Sequence, residues 1–284
     1  TIYKNIHKLP AGHWLISDGV RTEQHQYWDV SFSQVTAKSL SEIEDELYSL
    51  IEDSVKLRMV SDVPLGAFLS GGVDSSAIVG LMAGLSDRPV TTCSIGFDSE
   101  RFDEVKYARK VAAQFQTDHH EFTVRENVAD NLARIARFFD EPFSDPSFVP
   151  TFFVSQLARQ RVTVALAGDG GDENFAGYSK YYTDYVENRL RNLFPDAVRH
   201  GLFPRFAQLA GLINTPMARK AQSLVGTLAL DPDEAFAVTN SFFRRSLWEE
   251  VVRDDFRRDT EGYDPADITR HHYRNAGAED HLSR

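Results

Sequence analysis

Cysteine is nearly absent: Cys93 stands alone among 284 residues. One thiol cannot close a disulfide within the chain or supply the thiolates of a structural zinc site, so the sequence predicts a reducing, cytoplasmic setting. Long apolar runs are missing too. None approaches the roughly 18 residues needed to span a bilayer, and the first residues, Thr1-Ile2-Tyr3-Lys4, show no Met, no basic region before an apolar core and no secretory cleavage pattern. The expectation is no membrane association, in a chain cut from something longer. Positive charge is also scarce, with 31 Lys and Arg against 42 Asp and Glu and a formal net charge of −11. Neutralising nucleic-acid phosphates takes clustered Lys and Arg, so the sequence predicts a small-molecule substrate and no nucleic acid. Internal repeats and low-complexity linkers are absent. What is present, 42% hydrophobic and 26% charged residues, is an ordinary globular composition with room for one large domain or two small ones.

Residues 1 to about 30 alternate apolar and polar around Asp18-Gly19, which predicts a short β-hairpin. An amphipathic helix is predicted from Ser41, with Ser41 and Glu44 as a capping box and Ile43, Leu47, Leu50, Ile51 and Val55 on its apolar face. Strands and helices then alternate: Val63 to Leu69, Val73 to Leu85, Val90 to Phe97, Asp103 to Phe115, His119 to Val124. A helix through Val128, Leu132, Ile135 and Phe139 follows, then a segment broken by Pro142 and Pro146, a helix over Ser147 to Gln160 and a buried strand over Val162 to Leu166. Such alternation predicts an α/β fold, a parallel twisted sheet with helices on both faces, preceded by the hairpin. Beyond about residue 190 the pattern is helical and Arg-rich. The predicted organisation is 1–32, 33–190 as the nucleotide-binding domain, and 191–284 as its helical remainder.

Chemistry concentrates in two loops, each following a predicted strand. In Ser70-Gly71-Gly72-Val73-Asp74-Ser75-Ser76 the glycines let backbone N–H groups approach a phosphate, the serines add hydroxyls, and the opening helix contributes about +0.5 charge. No G-x-x-x-x-G-K-[ST] motif occurs, so a γ-phosphate grip of that kind is excluded. Asp74 would repel bare pyrophosphate but is explained if Mg²⁺ bridges it to phosphate oxygens. The second loop, Ala167-Gly168-Asp169-Gly170-Gly171-Asp172-Glu173, reads either as a solvated turn or as a ligand loop. An EF-hand is ruled out because Gly171 stands where an oxygen ligand is required. The preferred reading makes Asp172 the second protein ligand of Mg²⁺ and Asp169 an acid/base or orienting carboxylate.

These loops, with Ser94-Ile95-Gly96-Phe97, Asp140-Glu141-Pro142-Phe143-Ser144-Asp145 and the stretch to Tyr178, resemble the glutamine-dependent asparagine synthetases in residues, order and spacing. The resemblance implies a PP-loop fold of the adenine nucleotide alpha hydrolase-like kind. It further implies ATP and Mg²⁺ as cofactors, an ATP site formed by Leu69, Ser70, Gly71, Gly72, Val73, Asp74, Ser75, Ser76, Ile95, Ala167 and Gly168, and Mg²⁺ on Asp74 and Asp172. The implied reaction is ATP-dependent amide formation through an acyl-adenylate, aspartate to asparagine with glutamine-derived ammonia, or the same chemistry on a β-lactam, peptide or exopolysaccharide-linked carboxylate. A nucleotide-binding pseudo-enzyme is the rival of another class. The hairpin through Trp28 resembles the end of the family's N-terminal glutaminase domain, whose nucleophilic cysteine Cys93 cannot replace, and a homodimer stays open. Two departures stand out. Asp169 replaces a Glu, and Ala176 replaces the first Gly of Phe-Gly-Gly-Tyr, where a methyl is expected to force an ordinary φ. The family's essential lysine segment lies past Arg284, and Lys180 and Lys220 are the only lysines after the second loop, so weak Mg·ATP binding at most is expected.

Other conspicuous residues read as structural. Adjacent pairs His119-His120 and His271-His272 point apart on a strand or helix. Phe138, Phe139, Phe148, Phe152 and Phe153 have core spacing, and the runs Arg189 to Arg191 and Phe242 to Arg245 read as solvated helix faces.

Overall fold

The computed structural model describes residues 1–33, 36–97, 104–124, 128–143, 145–241, 245–278 and 280–284; Asp103, Ser144 and Phe242 to Arg244, named above, lie outside them. The chain divides into two compact units, Thr1–Lys8 with Ala37–Phe175, and Leu9–Thr36 with Ala176–Arg284.

In the second unit, β1 (His13–Ser17) and β2 (Thr22–Gln26) pair antiparallel, His13 opposite Gln26 and Ser17 opposite Thr22. The turn between them is held by Asp18 Oδ1, which accepts from the N–H groups of Val20 (2.8 Å) and Arg21 (2.7 Å).

In the first unit, α1 spans Leu40–Arg58. Its capping box lies two residues earlier than the predicted one: the Glu42 carboxylate accepts from Ser39 N–H at 2.8 Å while the Ser39 hydroxyl accepts from Glu42 N–H. The same Ser-x-x-Glu spacing occurs at both places, and the earlier cap keeps the Ile43 N–H to Ser39 carbonyl bond (3.1 Å) that a cap at Ser41 would lose. Val55 is buried as expected, but Leu50 is 62% exposed, off the packed face.

The sheet is assembled from β3 (Leu65–Phe68), β4 (Thr91–Phe97), β5 (Asp118–Val124) and β6 (Val164–Leu166), all parallel, in the order β5-β4-β3-β6. β3 is shorter than the predicted Val63–Leu69 because Pro64 has no N–H for the ladder; its carbonyl instead accepts from Thr163 N–H at 2.8 Å. The connecting helices are α2 (Val73–Leu85), α3 (Val105–Phe115), α4 (Val128–Ala136) and α5 (Phe148–Ala158), with the short α6 (Gly171–Phe175) after β6. Side-chain alternation sorts the core onto two faces. Ala67, Leu69 and Leu166 pack with Val55, Val79, Met82, Ala108 and Ala112 of α1 to α3, whereas Phe68, Cys93 and Phe122 pack with Ala158 and Val162 on the α5 side. Each large apolar side chain so buried contributes roughly 1.5–3 kcal/mol. Around α5 the phenylalanines meet in tilted and edge-to-face pairs, and Phe153 is 3% exposed although Phe138 remains 72% exposed.

The rest of the second unit is helical: α7 (Ser179–Arg191), α8 (Asp196–Gly201), α9 (Phe203–Gly211), α10 (Pro216–Leu228), α11 (Pro232–Thr239), α12 (Arg245–Val251), α13 (Asp254–Asp259) and α14 (Ala266–Asn275). Arg191 is not on a solvated face as expected. It is 2% exposed, its guanidinium donating to Asn188 Oδ1 (3.0 Å) and the Thr227 carbonyl (3.1 Å), so α7 is tied to the end of α10.

Candidate functional site

Chain order runs β3, β4, β5 toward one edge of the sheet and then returns to place β6 on the other side of β3. The loops leaving β3 and β6 therefore diverge from neighbouring strands at the point where the strand order reverses, the position where open α/β sheets bind ligands. These are the two loops of the sequence reading.

The first loop is a closed hydrogen-bonded unit. The Ser70 hydroxyl accepts from Gly72 N–H (3.2 Å) and lies 3.0 Å from the Ser75 hydroxyl, which accepts from Ser70 N–H (3.3 Å) and donates to the Gly72 carbonyl (3.2 Å). Ser76 donates its hydroxyl to the same carbonyl at 2.6 Å. Gly72 caps α2 with no side-chain partner, which leaves first-turn N–H groups open to an anion. Gly71 has φ +84°, and a Cβ there would meet Ala108 N at 2.4 Å and Tyr107 C at 2.6 Å, so the loop lies directly on the start of α3. Below it, Leu69 is 1% exposed, its N–H donates to the Cys93 carbonyl at 2.9 Å, and its carbonyl accepts the buried Ser94 hydroxyl. Ser94 was visible in the sequence as part of a motif, yet its role as a support for the loop depends on strand register. Val73 is 85% exposed and Ile95 half-buried near the carboxyl end of β4.

The second loop packs onto the first. A Cβ at Gly168 would meet Ser75 N at 2.7 Å and Asp74 C at 2.8 Å, and one at Gly171 would meet Asp74 Cγ at 2.4 Å and its oxygens at 2.6 and 2.7 Å. Gly171 thus lies against the Asp74 carboxylate, immediately before Asp172. Gly170 has φ +91°, and the Asn174 side chain donates to its carbonyl at 2.6 Å, turning the chain into α6. Ala167 and Gly168 are half-buried between the strand ends, Asp172 is half-buried, and Asp169 is exposed. No hydrogen bond or ion pair among the described residues occupies the carboxylates of Asp74, Asp169 or Asp172. A donor set of two uncommitted carboxylates on touching loops, beside open helix N–H groups, fits a hard divalent cation shared with phosphate.

The segment before α5 is held by the first residues of the chain, in the same compact unit. There Tyr3 donates its hydroxyl to the Asp140 carbonyl (3.0 Å), Ile2 N–H donates to Glu141 Oε2 (3.3 Å), and Lys8 forms an ion pair with Glu141. The Lys8 hydrogen bond holds the Glu141 carboxyl below its ordinary value. Ala176 corrects an expectation: it has φ +54°, keeping the left-handed backbone that a glycine would adopt there. Histidines take local partners, His119 Nδ1 lying 2.8 Å from Thr92 Oγ1 and His120 Nε2 3.1 Å from Asp118.

The family profile for asparagine synthase matches residues 46–278, which contain both loops and the whole sheet. The chain belongs to the asparagine synthase family. Among relatives, it is 36% identical over 264 residues to a putative glutamine-hydrolysing asparagine synthetase 2 of Methanocaldococcus jannaschii, covering 90% of this chain and 48% of that protein. It is 38% identical over 159 residues to the glutamine-hydrolysing asparagine synthetase 1 of Bacillus subtilis, covering 55% and 24%, and 29% identical over 206 residues to an amidase of Penicillium rubens, covering 66% and 31%. The chain thus spans half or less of the length of these asparagine synthase relatives. Among solved structures, an NH3-dependent NAD synthetase of Campylobacter jejuni aligns with 14% identity and a TM-score of 0.33 over 50% of this chain and 62% of that one.

Proposed function

We propose that this chain forms the ATP-binding part of an amide-forming ligase that activates a carboxylate as its acyl-adenylate, most simply converting aspartate to asparagine with ammonia released from glutamine. The observation that supports it most is the seating of Gly171 and Gly168 on Asp74 at the switch point of the sheet. A carboxylate is a poor electrophile. In the proposed reaction its oxygen attacks the α-phosphorus of ATP, the bond to pyrophosphate breaks, and ammonia then attacks the acyl carbon as AMP leaves. Positioning and charge neutralisation are the protein's main contributions.

Backbone N–H groups of the Ser70–Ser76 loop would take the β- and γ-phosphates, the Ser70, Ser75 and Ser76 hydroxyls exchanging their internal partners for phosphate oxygens. Leu69, Ile95, Ala167 and Gly168 would line the adenosine. Asp74 and Asp172 would hold Mg²⁺, which supplies compensation for the charge of the departing pyrophosphate. Asp169, exposed at the open side of the second loop, is assigned to orienting the amine and accepting its proton. Residues 1–32 are proposed as the tail of a glutaminase domain that delivers the ammonia.

A second reading keeps the adenylation and changes the acid; the fungal amidase relatives favour it. Pyrophosphate exchange by the full-length protein with a panel of carboxylic acids separates the two, with Asp74→Asn as the control. Aspartate-dependent exchange that Asp74→Asn abolishes is the expected result. Exchange with another acid moves the assignment to the second reading, and no exchange with any acid removes both.

A further inference from the structure

The α9–α10 hairpin combines two features that nothing in the proposed reaction uses. On α9 and the turn after it, Leu202, Phe206, Leu209 and Ile213 recur at the spacing of one helix face and are 44%, 51%, 59% and 56% exposed. At the tip Leu212 and Met217 are each 82% exposed. The inner faces are already satisfied by each other, α9 packing on α10 so closely that a Cβ on Gly211 would meet the Gln222 side chain at 2.6 Å. The outer stripe stays 44–59% exposed among the described residues.

Charge supplies the second feature. In a chain of net charge −11, the stretch between Asp196 and Asp231 contains no Asp or Glu. Its Arg199 is buried and paired with the two flanking aspartates. Arg205, Arg219 and Lys220 are exposed and form no ion pair among the described residues. Helical spacing sets Arg205 three residues from Leu202 and Lys220 three from Met217, flanking the apolar stripe.

We propose that this hairpin docks on an anionic phospholipid surface, its apolar tip entering the boundary between headgroups and acyl chains while Arg205, Arg219 and Lys220 meet the headgroup charges. An apolar layer beneath a negative one is what an amphipathic, wholly basic hairpin complements. A nucleic acid would leave Leu212 and Met217 in water, and a second copy would set the same three cations against each other. The overall negative charge does not oppose docking, because charges beyond about 8 Å are screened at physiological salt. The absence of long apolar runs predicted no membrane association, but a helix lying in the interface plane needs none.

The test is flotation of the full chain with vesicles of phosphatidylcholine alone or mixed with phosphatidylglycerol, at about 0.15 M salt. Binding to the mixed vesicles only is expected. Replacing Arg219 and Lys220 by Ser should weaken it about 25-fold, at roughly five-fold per charge, and Ile213→Glu with Met217→Glu should abolish it with the circular dichroism spectrum unchanged. Equal binding by both vesicle types, no binding, or binding unaffected by the variants overturns the proposal. So does a dimer in light scattering that Met217→Glu dissolves, which would assign the face to a second copy, and so does capture of an acidic protein without lipid binding.

Discussion

Replacing Gly171 by Ala adds one methyl group at the point where the two loops touch. That methyl would stand 2.4 Å from Asp74 Cγ and 2.6 and 2.7 Å from its oxygens. Ordinary van der Waals contact is about 3.5 Å, so the carboxylate must retreat by about 1 Å. The obstacle is the end of a rotatable side chain, and the stability cost is therefore small, below about 1 kcal/mol. Catalysis is more sensitive, since a displacement of about 1 Å in a positioning group costs on the order of 100-fold. The expected outcome is a melting temperature within a few degrees of the parent and pyrophosphate exchange reduced about 100-fold. Gly168→Ala provides the contrast, because its methyl meets backbone, Ser75 N at 2.7 Å and Asp74 C at 2.8 Å. It should lose about 1–3 kcal/mol of stability as well as exchange. Gly84→Ala is the neutral control: it lies in α2 with nothing within 4 Å, and should gain up to about 1 kcal/mol of stability with exchange unchanged. Exchange by Gly171→Ala at the parental rate would refute the assignment of Asp74 to the Mg·ATP site.

Burial lowers the pKa of His119, whose Nδ1 lies against Thr92 Oγ1. The folded state thus prefers the neutral ring; the stability this gives is present above the unfolded value of about 6.5 and is lost as pH falls from there through the folded pKa. Denaturant melts between about pH 7.5 and 5.5 should show a slope that His119→Gln flattens, and parallel profiles would refute it. Ala176→Gly should raise stability, by up to about 1 kcal/mol, because the methyl at φ +54° costs about that much in the left-handed region; Ala176→Val should lower it. A thermal melt in which Gly is less stable than Ala would contradict the strain.

The strand and helix alternation was legible in the sequence because β-branched runs and Gly punctuation are local signals. The start of β3 was not, since Val63 looks like strand until the missing N–H of Pro64 is counted against the Thr163 partner. Arg191 looked solvated because its sequence neighbours are polar, whereas its burial depends on Thr227, distant in sequence. Both loops were readable as motifs, and belonging to one site followed from their place after strands. That Gly171 bears on Asp74 could not be read, because the contact joins residues far apart through the return of β6 beside β3. Ala176 shows the opposite limit, a residue whose own preference is overruled by the turn that holds it.

Gly71 carries a consequence for kinetics. Because a Cβ there would run into the backbone of Tyr107 and Ala108, and the Ser70 and Ser75 hydroxyls tie the loop from inside, contacts within the protein hold the loop backbone in one shape. On the proposed function, little ordering entropy would be lost on binding nucleotide, and the loop would not swing aside to release product. On that reading, departure of pyrophosphate would be timed by other parts of the protein.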